Sequence, residues 1–265
     1  MYKVVIPARY ASARLPGKPL LVIAGKPMLQ WVYERARAAQ AGEVLIATDD
    51  ERIAARARTF LAASDADNVV MTSTTHASGT DRIAEVARLR GWDERQIVVN
   101  VQGDEPLLPP PLVRQVSALL ERHAHADIAT LATPIGSLTE FLDPNVVKVV
   151  TDASQRALYF SRAPIPWHRD GAAAGPGSQT LWQGARRHVG LYAYRVGALK
   201  ALAAFAPTPL ERAERLEQLR ALEHGFDIRV ADCLVAPGPD VNTATDLKRV
   251  AALLQGASHA DLPTG

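Results

Sequence analysis

The chain has a single cysteine, Cys233, among 265 residues. A lone cysteine cannot form an internal disulfide, which fits a reducing compartment. Cys233 lies in or beside a strand-like run (FDIRVADCLV), so it is expected to be a buried thiol rather than a nucleophile. An excess of charge of either sign is also missing. Thirty Lys and Arg stand against twenty-eight Asp and Glu, a net charge of +2, too weak to mark nucleic acid or a membrane surface as partner. No apolar run approaches the length of a membrane-spanning helix. The VVI of the opening MYKVVIPARY is too short for a secretory signal, so a soluble cytoplasmic protein is expected. Aromatics make up only 6% of the chain, and alanine is abundant, which suits a helical shell over a sheet.

What is present is alternation. Short β-branched runs at Lys3–Pro7, Glu43–Thr48, Asn68–Met71, Gln96–Val101 and Ile128–Thr133 read as strands. Between them lie helix-period segments: Pro27–Ala39, a helix capped by Asp49 or Asp50, one from about Thr80, and Leu112–His123. Strands alternating with amphipathic helices predict βαβ crossovers and a mainly parallel sheet. The pattern changes after about Ser137. Val146–Thr151 and Ala157–Ser161 flank the turn-like DASQ and predict an antiparallel hairpin. Arg169–Thr180 has loop composition. A strand around His188–Tyr194, a helix at Pro209–Leu222, a strand at Phe226–Ala231 and a helix at Thr243–Leu254 return the chain to the α/β body. The simplest division is one domain over 1–255, with an inserted subregion at about 135–190 and a tail at 256–265.

Two loops carry the chemistry. PARYASARLPGKPL (Pro7–Leu20) follows the first strand and sets Arg9, Arg14 and Lys18 among the small residues Ala8, Ala11, Ser12 and Ala13. Small residues there let backbone N–H groups approach a polyphosphate, and the cations neutralise it. Such loops lie at the carboxyl end of the sheet, where open α/β folds bind ligands. The segment is neither GxGxxG nor GxxxxGK[ST], so it announces neither a dinucleotide fold nor a P-loop. In VNVQGDEPLLPP (Val99–Pro110), a buried strand that is apolar except for Asn100 ends in a tight turn at Gly103. Asp104 follows, and a carboxylate facing a cationic phosphate loop suits Mg²⁺ held on a nucleotide.

These two segments resemble the CMP-Kdo synthetase (3-deoxy-manno-octulosonate cytidylyltransferase) family. Further matches follow in order: THASGTDR (Thr75–Arg82), NVVKVV (Asn145–Val150), ALYFSRAPIPW (Ala157–Trp167), RHVGLYAYR (Arg187–Arg195), LERAERLEQLR (Leu210–Arg220) and VNTATDL (Val241–Leu247). The resemblance spans nearly the whole chain. It implies a Rossmann-like α/β nucleotidyltransferase fold, a homodimer formed through the inserted hairpin, and a step in lipopolysaccharide synthesis. The reaction would be CTP plus Kdo giving CMP-Kdo and pyrophosphate, with catalysis by positioning and charge neutralisation. By resemblance, Arg9, Ser12, Arg14 and Lys18 hold the triphosphate. Ser78, Gly79, Thr80 and Arg82 help recognise the cytidine part, and Asp104 binds Mg²⁺. Gln102, Arg162, His188, Tyr192, Glu217 and Gln218 line the sugar pocket, with Arg162 suited to the sugar's carboxylate.

One departure stands out. Where the family has Val-Asp-Thr, this chain has Val241-Asn242-Thr243. Asn is a weaker Mg²⁺ ligand than Asp. Asp240, two residues earlier in an extended segment, points the same way as Asn242, so Asp240, Asn242 or both are expected to complete the metal shell. Two other readings share this sequence: a cytidylyltransferase for another acidic sugar, 8-amino-Kdo or sialate, and a non-catalytic nucleotide-binding regulator, which only Asn242 favours. A dehydrogenase lacks its glycine fingerprint.

Overall fold

A computed structural model describes residues 1–11, 15–172 and 174–257. In chain order the elements are β1 (Lys3–Ala8), a small hairpin of β2 (Val22–Ile23) and β3 (Lys26–Pro27), α1 (Met28–Ala38), β4 (Glu43–Thr48), α2 (Glu51–Arg58), β5 (Val69–Met71), α3 (Gly79–Leu89), β6 (Ile97–Asn100) and α4 (Pro110–Arg122). There follow β7 (Ile128–Pro134), α5 (Leu138–Leu142), β8 (Lys148–Thr151), β9 (Ala157–Ser161), β10 (Arg186–Arg195), α6 (Val196–Ala204), α7 (Pro209–Glu214), α8 (Gln218–Glu223), β11 (Ile228–Asp232) and α9 (Ala244–Ala257).

The main sheet runs β11-β7-β10-β6-β1-β4-β5, with β8 paired to β10 and β9 paired to β8. The pairs β1/β4, β1/β6, β4/β5 and β7/β11 are parallel. β10 runs antiparallel to β6, β7 and β8. This is the mainly parallel α/β sheet with a small antiparallel part that the alternation predicts. Period-two strands sort the core into two faces. Val4 and Ile6 join α1, α2 and α4 on one side, while Val5, Leu45 and Val98 join α3, α6 and α8 on the other. The buried ammonium of Lys148 anchors the β8–β9 hairpin. It donates to the carbonyls of Asp143, Val146 and Arg162 at 2.9, 2.7 and 2.7 Å.

The structure adds to or corrects the sequence reading in three places. The single helix expected over Pro209–Leu222 is broken. Arg215 takes a left-handed conformation (φ 53°) that ends α7, and α8 begins only at Gln218. Helices α5 and α6 were not read from the sequence; they are five and nine residues long, and α6 is nearly all apolar and small, which blurs helical periodicity. The loop at Arg169–Thr180 contains two short 3₁₀ turns, Arg169–Gly171 and Pro176–Ser178.

Candidate active site

Parallel pairing of β1 with β6 brings both chemistry-bearing loops to one edge of the sheet. Val101 N–H still donates to Val5 O at 3.1 Å, after which the two chains diverge. Gly103 is required at that point, because a Cβ would stand 3.0 Å from Pro7 O. The first loop closes on itself: Gly17, left-handed at φ 68°, donates its N–H to Tyr10 O at 3.1 Å. That turn aims Lys18 back across the sheet edge.

Lys18 Nζ donates to Asp104 Oδ2 at 2.7 Å and to Asn242 Oδ1 at 3.3 Å. Asn242 Nδ2 donates in turn to Asp240 Oδ2 at 2.5 Å. The segment 240–242 is held beside Asp104 by Val241 N–H donating to Asp104 O at 2.9 Å. It is also held by the cluster in which Val241, Val250 and Leu254 pack on the β2–β3 region. Tertiary packing thus joins residues 18, 104 and 240–242. Beside them, Glu105 has its carboxyl pushed up to about 8, first by desolvation and then by Asp104 and Asp240. Ser12 and Arg14 lie outside the described residues.

A cavity of about 140 Å³ opens next to this cluster, lined by Pro7, Ala8, Arg9, His76, Ala77, Ser78, Gly79, Arg82 and Gln102. Ser78 caps α3, accepting from Asp81 N–H at 3.1 Å while Asp81 Oδ2 accepts from Ser78 N–H at 3.0 Å. Arg82 is buried, donating to Asp49 Oδ2 at 2.9 Å and to Thr72 Oγ1. His76 Nε2 meets Glu85 Oε2 at 2.5 Å. Burial pushes the Glu85 carboxyl up, but the Ser73 N–H and His76 outweigh it and hold the group below its ordinary value.

A second cavity, of about 80 Å³, shares Gln102 with the first. Its lining includes Thr80, Asn100, Tyr192, Tyr194, Glu217 and Gln218. The break before α8 is what turns Glu217 inward. Desolvation raises its carboxyl, and the contact with Thr80 opposes that rise. Burial raises the Tyr192 and Tyr194 hydroxyls strongly. His188 packs between the rings of Phe160 and Tyr192, with centroids 5.1 and 5.2 Å away, and its Nε2 meets Thr130 Oγ1 at 2.9 Å. Burial lowers its pKa to about 3, so the ring is neutral at neutral pH. His188 borders a third cavity, of about 690 Å³, together with Glu105 and Asp240.

Arg162 lines none of these three cavities. Its N–H donates to Glu214 Oε2 at 2.9 Å, its Nε to Glu214 O at 2.7 Å and its Nη1 to Pro144 O at 2.9 Å. Through Nε and Nη1 its guanidinium ties the end of β9 to the end of α7 and to the loop at Pro144. Cys233 is partly buried, with its thiol pushed up to about 11 by desolvation and then by Asp232, so it is a poor nucleophile. The sequence reading missed Asn100, His76, Asp49, Tyr194 and Glu105 as site residues. Asn100 alone had a visible signal, a polar residue closing an apolar strand.

The cytidylyltransferase family model matches residues 3–228. The 3-deoxy-manno-octulosonate cytidylyltransferase of Thioalkalivibrio sulfidiphilus is 56% identical over 96% of this chain and 99% of its own length. That of Pseudomonas fluorescens is 53% identical over 96% of this chain and 98% of its own. A solved structure of CMP:2-keto-3-deoxy-manno-octonic acid synthetase complexed with CTP superposes with a TM-score of 0.85. It is 40% identical and covers 97% of this chain and 99% of its own. A cytidylyltransferase from Leptospira borgpetersenii, 16% identical over 96% of this chain and 87% of its own at a TM-score of 0.58, shares the fold.

Proposed function

The chain belongs to the cytidylyltransferase family, and we propose that its cleft joins CTP to 3-deoxy-manno-octulosonate (Kdo), giving CMP-Kdo and pyrophosphate. The observation that carries this reading is the convergence of Lys18, Asp104, Asp240 and Asn242 beside two cavities that share Gln102. One cavity suits a pyrimidine nucleoside and the other a polyhydroxylated group. Near-full-length relatives named for this reaction support it.

In the reaction, the sugar's anomeric oxygen forms a bond to the α-phosphorus of CTP. The bond to the bridging oxygen breaks, pyrophosphate leaves with the electron pair, and the hydroxyl proton is released. Arg9 and Lys18 bind the triphosphate, and Arg14 in the same loop is read with them. Ser78, Gly79, Thr80 and Arg82 position the nucleoside, with the Asp49 and Thr72 partners keeping Arg82 oriented. Gln102, at the junction of the two cavities, positions the sugar's reacting end. Tyr192, Glu217 and Gln218 hold its hydroxyls, and the neutral ring of His188 supports Tyr192.

The donor set around Lys18 also fits Mg²⁺. Among the described residues, no group of three or more His, Cys, Asp and Glu side chains is placed to hold a metal. Mg²⁺, however, characteristically takes one or two protein carboxylates and completes its shell with phosphate oxygens and water. Asp104 and Asp240 would hold it, with Asn242 as a neutral oxygen donor. When bound, Mg²⁺ neutralises charge on the phosphates. Lys18 spans the same oxygens and is positioned to move onto the phosphates.

No helix among the described residues is long and apolar enough to cross a membrane. The lone cysteine supports a cytoplasmic location. A homodimer is supported by apolar side chains exposed on and near the inserted hairpin, Leu158 at 60%, Trp167 at 43% and Leu142 at 42%. The test of the function is a coupled pyrophosphate assay. CTP, UTP, ATP and GTP are each offered with Kdo, 8-amino-Kdo and sialic acid, with and without Mg²⁺. Pyrophosphate release is expected with CTP, Kdo and Mg²⁺. CTP binding without release for any acidic sugar overturns the reading in favour of a nucleotide-binding regulator.

A further inference from the structure

Strand β6 is apolar until its last residue, Asn100. Asn100 is only 3% exposed, and its Oδ1 has no hydrogen-bond partner among the described residues. An unpaired buried acceptor is destabilising, and an apolar residue of the same shape would avoid the loss. A strand serving only the fold has no use for Asn here. The sheet register sets Asn100 opposite Tyr192, and both border the cavity of about 80 Å³ with Tyr194 and Glu217. Glu217 Oε1 is a second buried acceptor in that lining without a partner among the described residues.

Two buried oxygens without partners in one small cavity call for a hydrogen-bonding ligand, and the amide oxygen of Asn100 can only accept, so that ligand must donate to it. No Lys or Arg is in the lining, and Arg220, whose charge reaches Glu217, is already paired with Glu211, so a carboxylate entering the cavity would meet no cation in its lining to offset its desolvation. Hydroxyl groups suit it, since each can donate to one acceptor and accept from a neighbour. The volume is well below the roughly 300 Å³ or more of sites that enclose whole small-molecule ligands, so the cavity takes one end of a sugar.

We infer that Asn100 is a specificity-determining residue, whose Oδ1 accepts a hydrogen bond from a sugar hydroxyl, so that this cavity takes the polyhydroxylated end of the substrate and leaves its carboxylate outside. The inference rests on the reading of the chain as an acidic-sugar cytidylyltransferase and deepens it.

The test is Asn100→Leu, of nearly the same shape, with Asn100→Ala beside it as a smaller replacement. Both are measured by steady-state kinetics and thermal melting, with Kdo and with Kdo analogues each lacking one side-chain hydroxyl. For Asn100→Leu, KM for Kdo is expected to rise about tenfold, the size of one lost hydrogen bond. KM for CTP is expected to stay within about twofold, and Tm to hold or rise because an orphaned acceptor is gone. One analogue is expected to be poor for the wild-type enzyme but no worse than Kdo for either variant, which identifies the hydroxyl read. A fall in Tm with an unchanged Kdo KM, or loss of the same size on every analogue in wild type and variants alike, overturns the inference and leaves the cytidylyltransferase reading standing. Absence of pyrophosphate release by the wild-type enzyme with any acidic sugar overturns both.

Discussion

Lys18 bridges oxygens that would otherwise repel one another, touching Asp104 at 2.7 Å and Asn242 at 3.3 Å. Its side chain and that of Asp104 are 13% and 31% exposed, so in solvent the pair adds little to stability, roughly 1 kcal/mol or less. Its value lies in charge placed where the triphosphate binds. Lys18→Met is therefore expected to lower kcat/KM for CTP by about 10²–10³, the usual range for losing one electrostatic stabiliser, with little change in Tm; pyrophosphate release and melting curves check this. Asp240→Ala removes the carboxylate proposed to replace the family's missing aspartate. It is expected to raise the Mg²⁺ concentration for half-maximal rate several-fold and to weaken Mn²⁺ binding measured by paramagnetic resonance, while Asn242→Asp shifts both the other way. An unchanged Mn²⁺ affinity in Asp240→Ala removes Asp240 from the metal shell. His188 has a pH signature of its own. Folding holds its ring neutral, with a pKa lowered from 6.5 to about 3 by burial. Its stabilising contribution is thus complete above pH 6.5 and is lost as pH falls from 6.5 towards 3. Unfolding free energies of His188→Gln, measured by denaturant titration across that window, are expected to fall less steeply with acid than those of wild type.

At the scale of elements, the break between α7 and α8 does most to shape the sugar side of the cleft. LERAERLEQLR reads as one helix, and a continuous helix would leave Glu217 on a solvated face. In the fold, Arg215 turns left-handed and Leu216 is buried. Arg220 locks the corner, donating to Glu211 at 2.8 and 2.5 Å and to the carbonyls of Leu202 and Phe205 at 3.2 and 3.3 Å. Both charged partners are nearly enclosed, with side chains 8% and 13% exposed. Arg220→Met breaks a buried pair and is expected to destabilise the protein by about 3 kcal/mol. At temperatures where the variant remains folded, KM for Kdo should rise more than KM for CTP, because the corner carries Glu217 and Gln218 directly and reaches the nucleoside side only through Thr80. Equal change in both constants would show that the corner acts only through overall stability.

For the whole molecule, the exposed apolar residues Leu158, Trp167 and Leu142 lie on and near the antiparallel β8–β9 hairpin inserted into the α/β body. Size-exclusion chromatography with light scattering is expected to give twice the mass of the chain at micromolar concentration; a monomer there rejects the dimer. Residue order alone declared the parallel α/β body, because strand and helix periods are local patterns. It also declared the phosphate loop and the QGDEP turn, because each is a short contiguous run whose residue types have few other uses. It did not show that Arg162 would donate to the carbonyls of Glu214 and Pro144, that Glu217 would turn inward, or that Asn100 would be left with an unpaired oxygen. Those outcomes depend on partners from 18 positions away, Pro144 for Arg162, to 137 positions away, Thr80 for Glu217, and on which hydrogen bonds remain unmade after packing. Such balances exist only once distant segments share one low-dielectric interior.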